Sequence, residues 1–271
     1  MTHHFLVLHF GAQCPWQPWV VEQAQQAAEQ LDGTVHVADV AKQPELAAYY
    51  RLFFPFMTVV DGTRVVSPLL AEELLHIAAD GLVVPPATFT SWGPPAQAEA
   101  ILPLTAVNIT DTCGLCIRAD KWCGCQAKAK WAASMARKVS DGVLGFVAYQ
   151  GSEAVGVVEF LPAPLIPYPL PDRKPDVAFI TCIYSTEDRA DSRGQLLEWL
   201  AGYLQSTGYR ELQVIAGQHT AYPNGPQTFF LQYSFQPVSE LDRIALREGE
   251  EVLVLLRRKL YGRSNRSQSL S

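Results

Sequence analysis

The stretch that most constrains the fold of this chain lies between residues 176 and 209, where a predicted strand, a short polar turn and a predicted helix follow one another. The predicted strand, VAFITCIY at residues 177–184, is apolar, and SRGQLLEWLAGYL has the spacing of an amphipathic helix. The turn contains Arg189, Ser192 and Gly194 as R-x-x-S-x-G. Because the first N–H groups of a helix have no partner within the helix, they can hold a phosphate or diphosphate. The stretch therefore predicts an anion site where the helix begins.

Composition limits the classes of protein that remain. The 271 residues, of which 48% are hydrophobic, suffice for two ordinary domains with buried cores. The net charge of -6 argues against a nucleic-acid partner, since phosphate backbones are bound by basic faces. No apolar run approaches the roughly 18 residues that cross a bilayer, and the N-terminus lacks the basic segment of a secretory signal. We expect a cytoplasmic protein that binds neither nucleic acid nor membrane.

Residues 1–82 are predicted to form a first domain in which elements follow the order βαβαββα. Its strands are predicted at residues 5–10, 34–40, 56–60 and 64–67, and its helices at residues 19–31, 44–52 and 71–79. Cys14 follows the first strand and precedes the first helix, and Pro55 directly precedes the third strand. This arrangement resembles the thioredoxin-like domains. The resemblance implies a redox role for Cys14 and a cis peptide bond before Pro55 that faces it.

The chain departs from the thioredoxin pattern at Gln17, which stands where the family has its second cysteine. A dithiol–disulfide cycle needs that resolving thiol, so ordinary oxidoreductase activity is not expected. Two alternatives stay open. Cys14, near a helix start, could have a lowered pKa and form mixed disulfides, or the domain could be a scaffold for docking or for a homodimer.

Residues 83–96 are rich in Pro, Gly and Ser, which predicts a semi-rigid linker. Residues 97–260 then form the second predicted domain, and the polar residues 261–271 form a disordered tail. The second domain contains the hairpin sequence GFVAYQGSEAVGVVEF, then FITCIY, then the anion turn and its helix. This series is similar to the GNAT acyl-CoA N-acyltransferases, and in particular to a Cys-rich subset of them. The predicted fold class is therefore α/β (α+β): a thioredoxin-like domain followed by a GNAT-like mixed sheet with flanking helices.

The GNAT resemblance implies an acyl-CoA cofactor, with acetyl-CoA as the first choice, and a small-molecule or peptide amine as acceptor. The neutral amine attacks the thioester directly. The residues implied to hold the diphosphate are Arg189, Ser192, Arg193, Gly194 and Gln195. The residues implied to pair with the pantetheine, if their strand splays from the next one, are Ile183, Tyr184 and Ser185.

Two catalytic groups are implied by the same resemblance. Glu159, on the strand before the central one, is the candidate general base, and a solvent-facing Glu is the alternative. Phe230 stands where the family usually has the tyrosine that protonates the leaving thiolate, so Tyr233 is the substitute acid, with a core position as its alternative. The anion turn also differs from the family pattern, because Ser192 replaces its first glycine. An ungapped alignment to the strand instead puts Asp188 and Asp191 at key positions, where they would repel phosphate, and we prefer the register that begins at Arg189.

Four cysteines fall within thirteen residues, at Cys113, Cys116, Cys123 and Cys125. Four thiolates suit a tetrahedral zinc ion, but CxxC followed by CxC matches no standard zinc module. Zinc, a disulfide or redox pair, and simple packing all stay open. Together with Cys14, the cluster supports an alternative hypothesis for the whole protein, which is a non-catalytic or redox protein that binds thiols or metal.

Overall fold

Two mixed β-sheets form the framework of the computed structural model, which describes residues 2–66, 69–81, 93–116, 124–186, 191–218, 223–246 and 249–260. The first sheet belongs to the N-terminal unit and the second to the rest of the chain. None of the helices within these described ranges has the length and apolar character needed to cross a bilayer.

The N-terminal unit has the predicted order of elements. It consists of β1 (His4–His9), α1 (Gln17–Gln30), β2 (Thr34–Asp39), α2 (Pro44–Tyr50), β3 (Phe56–Val60), β4 (Thr63–Val65) and α3 (Ala71–Asp80). The sheet order is β2-β1-β3-β4, with β1 parallel to β2 and antiparallel to β3. Pro18 and Pro44 lie in the first turns of α1 and α2, where a missing N–H costs nothing. That this unit is a thioredoxin-like domain stays a prediction.

The second unit contains β5 (Ala100–Leu104), α4 (Cys113–Cys116), α5 (Gly124–Ala136), β6 (Gly145–Gln150), β7 (Glu153–Pro162), β8 (Val177–Ser185), α6 (Arg193–Ser206), β9 (Glu211–Gly217), α7 (Gln227–Leu231), β10 (Gln236–Leu246) and β11 (Gly249–Lys259). The sheet order is β10-β11-β9-β8-β7-β6-β5. The sequence did not predict β10. Two register shifts, at Pro237/Ser239 and Glu240/Asp242, break its alternation of apolar and polar residues.

The central strand β8 diverges from its neighbour β9. Their parallel pairing covers only Val177, Ala178 and Phe179, which lie opposite the start of β9, and no further pair joins the two strands among the described residues. On its other side β8 pairs with β7 from Ala178 to Ser185. The splay that the GNAT resemblance required is therefore confirmed. It leaves the edge of β8 beyond Phe179 without a described strand partner.

The two faces of the large sheet are covered by different parts of the chain. Helix α6 packs its leucines, including Leu200, against one face, where they meet Phe160 and Ile183. The other face shares a core with the N-terminal unit, in which Phe10 after β1 contacts Tyr168 of the long loop before β8. The units before and after the predicted linker, residues 83–96, therefore share a core. Most of that linker lies outside the described residues.

Candidate functional site

The start of helix α6 is occupied by a carboxylate of the chain itself. Asp191 Oδ1 accepts the backbone N–H of Arg193 at 3.0 Å, and the Arg193 guanidinium donates to both oxygens of Asp191 at 2.9 and 2.8 Å. Arg193 is only 3% exposed and lies over the Phe229 ring. The sequence assigned Arg193 to a bound diphosphate as a positive charge. In the structure this charge is balanced by Asp191, and a contact between Arg193 and a diphosphate stays a prediction.

Other groups of the predicted anion turn also pair within the chain. The Ser192 N–H donates to Ser185 Oγ at 3.4 Å, and Gln195 Oε1 accepts the Ala98 N–H at 2.8 Å. The Asp191 N–H donates to the Pro94 carbonyl at 3.0 Å, so the segment that precedes β5 runs across the turn. Within the described ranges, the N–H groups of Gly194 and Gln195 have no acceptor. Among the described groups of the turn, these two N–H groups are the ones that fit the predicted anion site, which itself stays a prediction.

Arg189 and its neighbours from 187 to 190 lie outside the described residues, so its predicted contact with a diphosphate stays untested.

Tyr233 lies against the same helix start. Its hydroxyl is 1.9 Å from the position that a Cβ on Gly194 would take, so any side chain at this position would force Tyr233 to move. Burial, followed by the nearby Asp191 charge, raises the pKa of Tyr233 above its usual value, while Arg193 opposes this shift. Tyr233 packs with the core on the α6 face of the sheet. The structure therefore does not bring it together with Glu159, which lies on the opposite face.

Glu159 is 3% exposed and accepts from two donors that lie far from it in sequence. Lys128 of α5, itself 3% exposed, places Nζ 2.5 Å from Oε1, and Gln13 of the loop after β1 donates Nε2 to Oε2 at 3.3 Å. On the sheet, Glu159 lies opposite Cys182 of β8. The solvent-facing alternative for Glu159 is thus wrong. A buried carboxylate needs such partners, because an unpaired buried charge is costly.

Lys128 and Gln13 were not among the site residues predicted from the sequence. In α5, Lys128 shares a helical stripe with the buried residues Gly124, Ala132 and Met135. A lysine in such a stripe must meet a buried anion, and this pattern is the signal that could have identified the Lys128–Glu159 pair.

Cys14 lies in the turn that precedes α1, close to this pair. Burial raises the pKa of its thiol to about 12, and Cys182 and Glu159 also raise it, whereas the Trp16 backbone and Lys128 lower it. The lowered pKa that mixed disulfides would favour is therefore not found, because desolvation outweighs the helix start and the lysine. The redox role itself stays a prediction.

The loop from Gly11 to Pro15 is pressed against helix α5. Gly11 has a φ of +53° and leaves no room for a Cβ beside Trp131. A Cβ on Gly124 would lie 1.7 Å from the Pro15 carbonyl oxygen. Three buried polar atoms in this junction have no hydrogen-bond partner among the described residues, namely Gln13 Oε1, Trp131 Nε1 and the Tyr168 hydroxyl. We call the set formed by Gln13, Cys14, Lys128, Glu159, Tyr168 and Cys182 the junction cluster.

The cysteine segment is described in part. Cys113 is buried and Cys125 is partly exposed, whereas the Cys116 side chain and all of Cys123 fall outside the described residues. Within the described ranges, no three His, Cys, Asp or Glu side chains come together to hold a metal ion. Zinc binding by the four cysteines accordingly has no support from the structure and stays a prediction.

Asn224 is a further polar group that the sequence analysis missed. It is 4% exposed and donates Nδ2 to the Ile215 carbonyl of β9 at 3.1 Å, while its Oδ1 has no partner among the described residues. A buried amide oxygen of this kind is a candidate acceptor for a ligand N–H group.

Comparisons with known proteins give only distant likenesses. No family model and no curated protein matches the chain. Among solved structures, the ribosomal-protein-alanine N-acetyltransferase of Brucella melitensis is 14% identical, with a TM-score of 0.43, and the alignment covers 59% of this chain and 99% of that one. An N-acetyltransferase of Staphylococcus aureus Mu50 is 15% identical with a TM-score of 0.44, covering 60% and 98% of the two chains. PaiA N-acetyltransferase of Thermoplasma acidophilum, in complex with coenzyme A, is 11% identical with a TM-score of 0.39, and the alignment covers 59% of this chain and 98% of that one. Such likenesses alone assign neither family nor activity.

Proposed function

We propose that this protein is an acyl-CoA-dependent N-acyltransferase that uses acetyl-CoA and transfers the acyl group directly to a small-molecule or peptide amine. The observation that carries the proposal is the divergence of β8 from β9 after Phe179. A strand edge inside a sheet is normally paired, and an opened edge offers backbone N–H and C=O groups to a ligand. The pantetheine arm of CoA carries two amides and is suited to such an edge.

The proposed acyl donor lies along β8 at Ile183, Tyr184 and Ser185. A strand N–H near Ile183 stabilises the oxyanion that forms when the amine attacks the thioester carbonyl. We place the diphosphate at the start of α6, where the N–H groups of Gly194 and Gln195 have no acceptor among the described residues. Asn224 Oδ1 offers an additional acceptor beside β9.

Glu159 is the proposed general base. It lies on β7, one strand away from the open edge, and adjacent strands are about 4.8 Å apart. Its carboxylate already pairs with the amino group of Lys128, which supports a role for this position in binding an amine. A base of this kind removes the proton that would otherwise prevent attack by the acceptor.

Asp191 occupies the place proposed for the diphosphate. Its carboxylate accepts one hydrogen bond on each oxygen from the Arg193 guanidinium, and arginine also binds phosphate in this bidentate way. We infer that CoA competes with Asp191 for Arg193 and for the helix start. In the free protein, the Asp191 side chain then occupies the cofactor site, and CoA must displace it to bind.

Thermal unfolding with added ligand tests this proposal. A ligand that binds only the native state stabilises it by about 2.7 kcal/mol at a concentration of 100 times its Kd. We expect CoA and acetyl-CoA to raise the Tm, and pantetheine, which lacks the diphosphate, to raise it less at the same concentration. An unchanged Tm at millimolar CoA would contradict the proposal.

The second candidate is a non-catalytic protein that binds thiols or metal. The filled start of α6 favours it, because a site closed by Asp191 needs no cofactor. The two candidates differ in the Asp191→Ala variant. If the protein is a transferase, it gains CoA affinity when the competing carboxylate is removed. If it is a scaffold, the variant still does not bind CoA, and metal analysis of protein purified without chelator then tests the zinc hypothesis.

A further inference from the structure

The amine of Lys128 contacts Glu159, the proposed general base. Lys128 Nζ is 2.5 Å from Glu159 Oε1, and both residues are 3% exposed. Lys128 projects from α5, whereas Glu159 lies on the strand next to the splayed edge, opposite Cys182. The lysine amine therefore stands where the proposed mechanism requires an acceptor.

We propose that Lys128 is a self-acylation site, to which a bound acyl-CoA transfers its acyl group while Glu159 takes a proton. The proposal rests on the proposed function, because the acyl donor must bind along β8. The ligand class is an acyl-CoA thioester, and the product is an N-acyl-lysine in the junction cluster.

The reaction balances with the groups present and the acyl donor. Glu159 takes one proton from the Lys128 ammonium, which leaves a neutral amine and a carboxylic acid. The amine nitrogen forms a bond to the thioester carbonyl carbon, the carbon–sulfur bond breaks, and the second amine proton goes to the CoA thiolate. The products are the amide, CoA with a free thiol, and protonated Glu159.

The electrostatics of the junction permit this product. Before the reaction, the buried pair carries one positive and one negative charge. Afterwards both groups are neutral, so no unpaired charge is left in a site that excludes water. If Lys128 became neutral while Glu159 stayed ionised, an unpaired charge would be left in the buried site, which is costly. Transfer of the proton from Lys128 to Glu159 avoids that cost.

The polar atoms without partners are also suited to an amide. An N-acyl-lysine adds one N–H donor and one carbonyl acceptor. The junction cluster contains a buried acceptor and a buried donor without partners among the described residues, which are Gln13 Oε1 and the Tyr168 hydroxyl. Tyr168 lies within electrostatic range of Cys14 and Cys182, and Cys14 lies within range of Lys128 and Glu159.

Peptide mapping by mass spectrometry tests the proposal on the full chain. The protein is incubated with acetyl-CoA, and acetylation is measured over time at Lys128 and at the exposed Lys130 and Lys138. Uncatalysed acetylation favours exposed amines, so faster acetylation of buried Lys128 supports the proposal. Glu159→Gln is expected to slow the modification of Lys128 by about 100-fold, as for loss of a general base. Lys130→Arg is the matched control in the same helix and should leave the rate of acetylation at Lys128 unchanged.

The Tm of the same samples separates the two proposals. If CoA raises the Tm but Lys128 is acetylated no faster than Lys130, self-acylation is overturned and the cofactor proposal stands. If CoA does not raise the Tm and Lys128 stays unmodified, both are overturned. Should Glu159→Gln unfold, Gln13→Ala offers a second variant, which removes one partner of Glu159 and should change the rate at Lys128 but not at Lys130.

Discussion

Asp191 holds Arg193 by three hydrogen bonds, one from the backbone N–H and two from the guanidinium, so a carboxylate fills the helix start that the sequence assigned to a diphosphate. The arrangement has physical logic, since an anionic side chain at a helix N-terminus is favourable and a buried arginine needs a partner. It also gives the proposed cofactor site a competitor within the chain.

Removal of that competitor should affect stability and affinity in opposite directions. Asp191→Ala leaves Arg193 buried without its carboxylate, and breaking a buried pair costs about 3–5 kcal/mol of unfolding free energy. We expect CoA to bind about tenfold more tightly to this variant, because Arg193 no longer pairs with Asp191 and can form a charge-assisted contact with the diphosphate. Calorimetric titration and denaturant unfolding measure the two effects. Asp172→Ala, at the surface pair with Lys174, should change neither, and unchanged affinity in Asp191→Ala would contradict the competition.

Gly194 should tolerate no side chain. Gly194→Ala places a Cβ 1.9 Å from the Tyr233 hydroxyl, and overpacking of this kind costs about 1–3 kcal/mol. Gly202 in the same helix has no atom within 4 Å of such a Cβ, so Gly202→Ala should instead stabilise the protein by about 1 kcal/mol. Urea unfolding compares the two variants. Equal effects would mean that Tyr233 does not pack on the helix start.

The Lys128–Glu159 pair should behave as a coupled unit. Lys128→Met leaves the Glu159 charge buried with Gln13 as its described partner, which should cost about 3–5 kcal/mol. The double variant Lys128→Met with Glu159→Leu removes both charges and should recover most of that loss. A double-mutant cycle in guanidinium chloride measures the coupling. Additive effects would show that the two side chains do not interact.

Cys14 should make the protein less stable at alkaline pH. The pKa of its thiol is raised from 9.0 to about 12, so the thiol of the unfolded chain ionises first as the pH rises. An acid with a raised folded-state pKa contributes stability below its unfolded pKa, and this is lost between about pH 9 and 12. Unfolding free energy should fall by up to about 1.4 kcal/mol per pH unit there, and Cys14→Ser should remove this component. The same slope in both proteins would show that the thiol is not desolvated.

Most elements could be predicted from the sequence, because their periodicity is local. The order βαβαββα, the strand that becomes β8 and the start of α6 near Ser192 all follow from apolar spacing and from Pro and Gly signals. Strand β10 could not, since its bulges destroy the period of two. The splay of β8 was inferred by resemblance alone, because no local pattern reports how far two strands pair.

The candidate site was predicted less well, for a physical reason. Partners of buried charges come from distant parts of the chain: Gln13 reaches Glu159 across 146 positions, and Lys128 across 31. The sequence shows that Glu159 is flanked by apolar residues, but not which cation meets it. The Asp191–Arg193 pair is only two residues apart. The pair was not predicted, because Asp191 was considered only as a charge that would repel phosphate and not as a partner of Arg193.

The most direct measurement of the central claim is a crystal structure of the protein soaked with CoA. We expect the diphosphate at the start of α6 on the N–H groups of Gly194 and Gln195, with Arg193 released from Asp191 and the pantetheine paired along Ile183 to Ser185. Asp191 still bound to Arg193, with the edge of β8 empty at saturating CoA, would contradict the account.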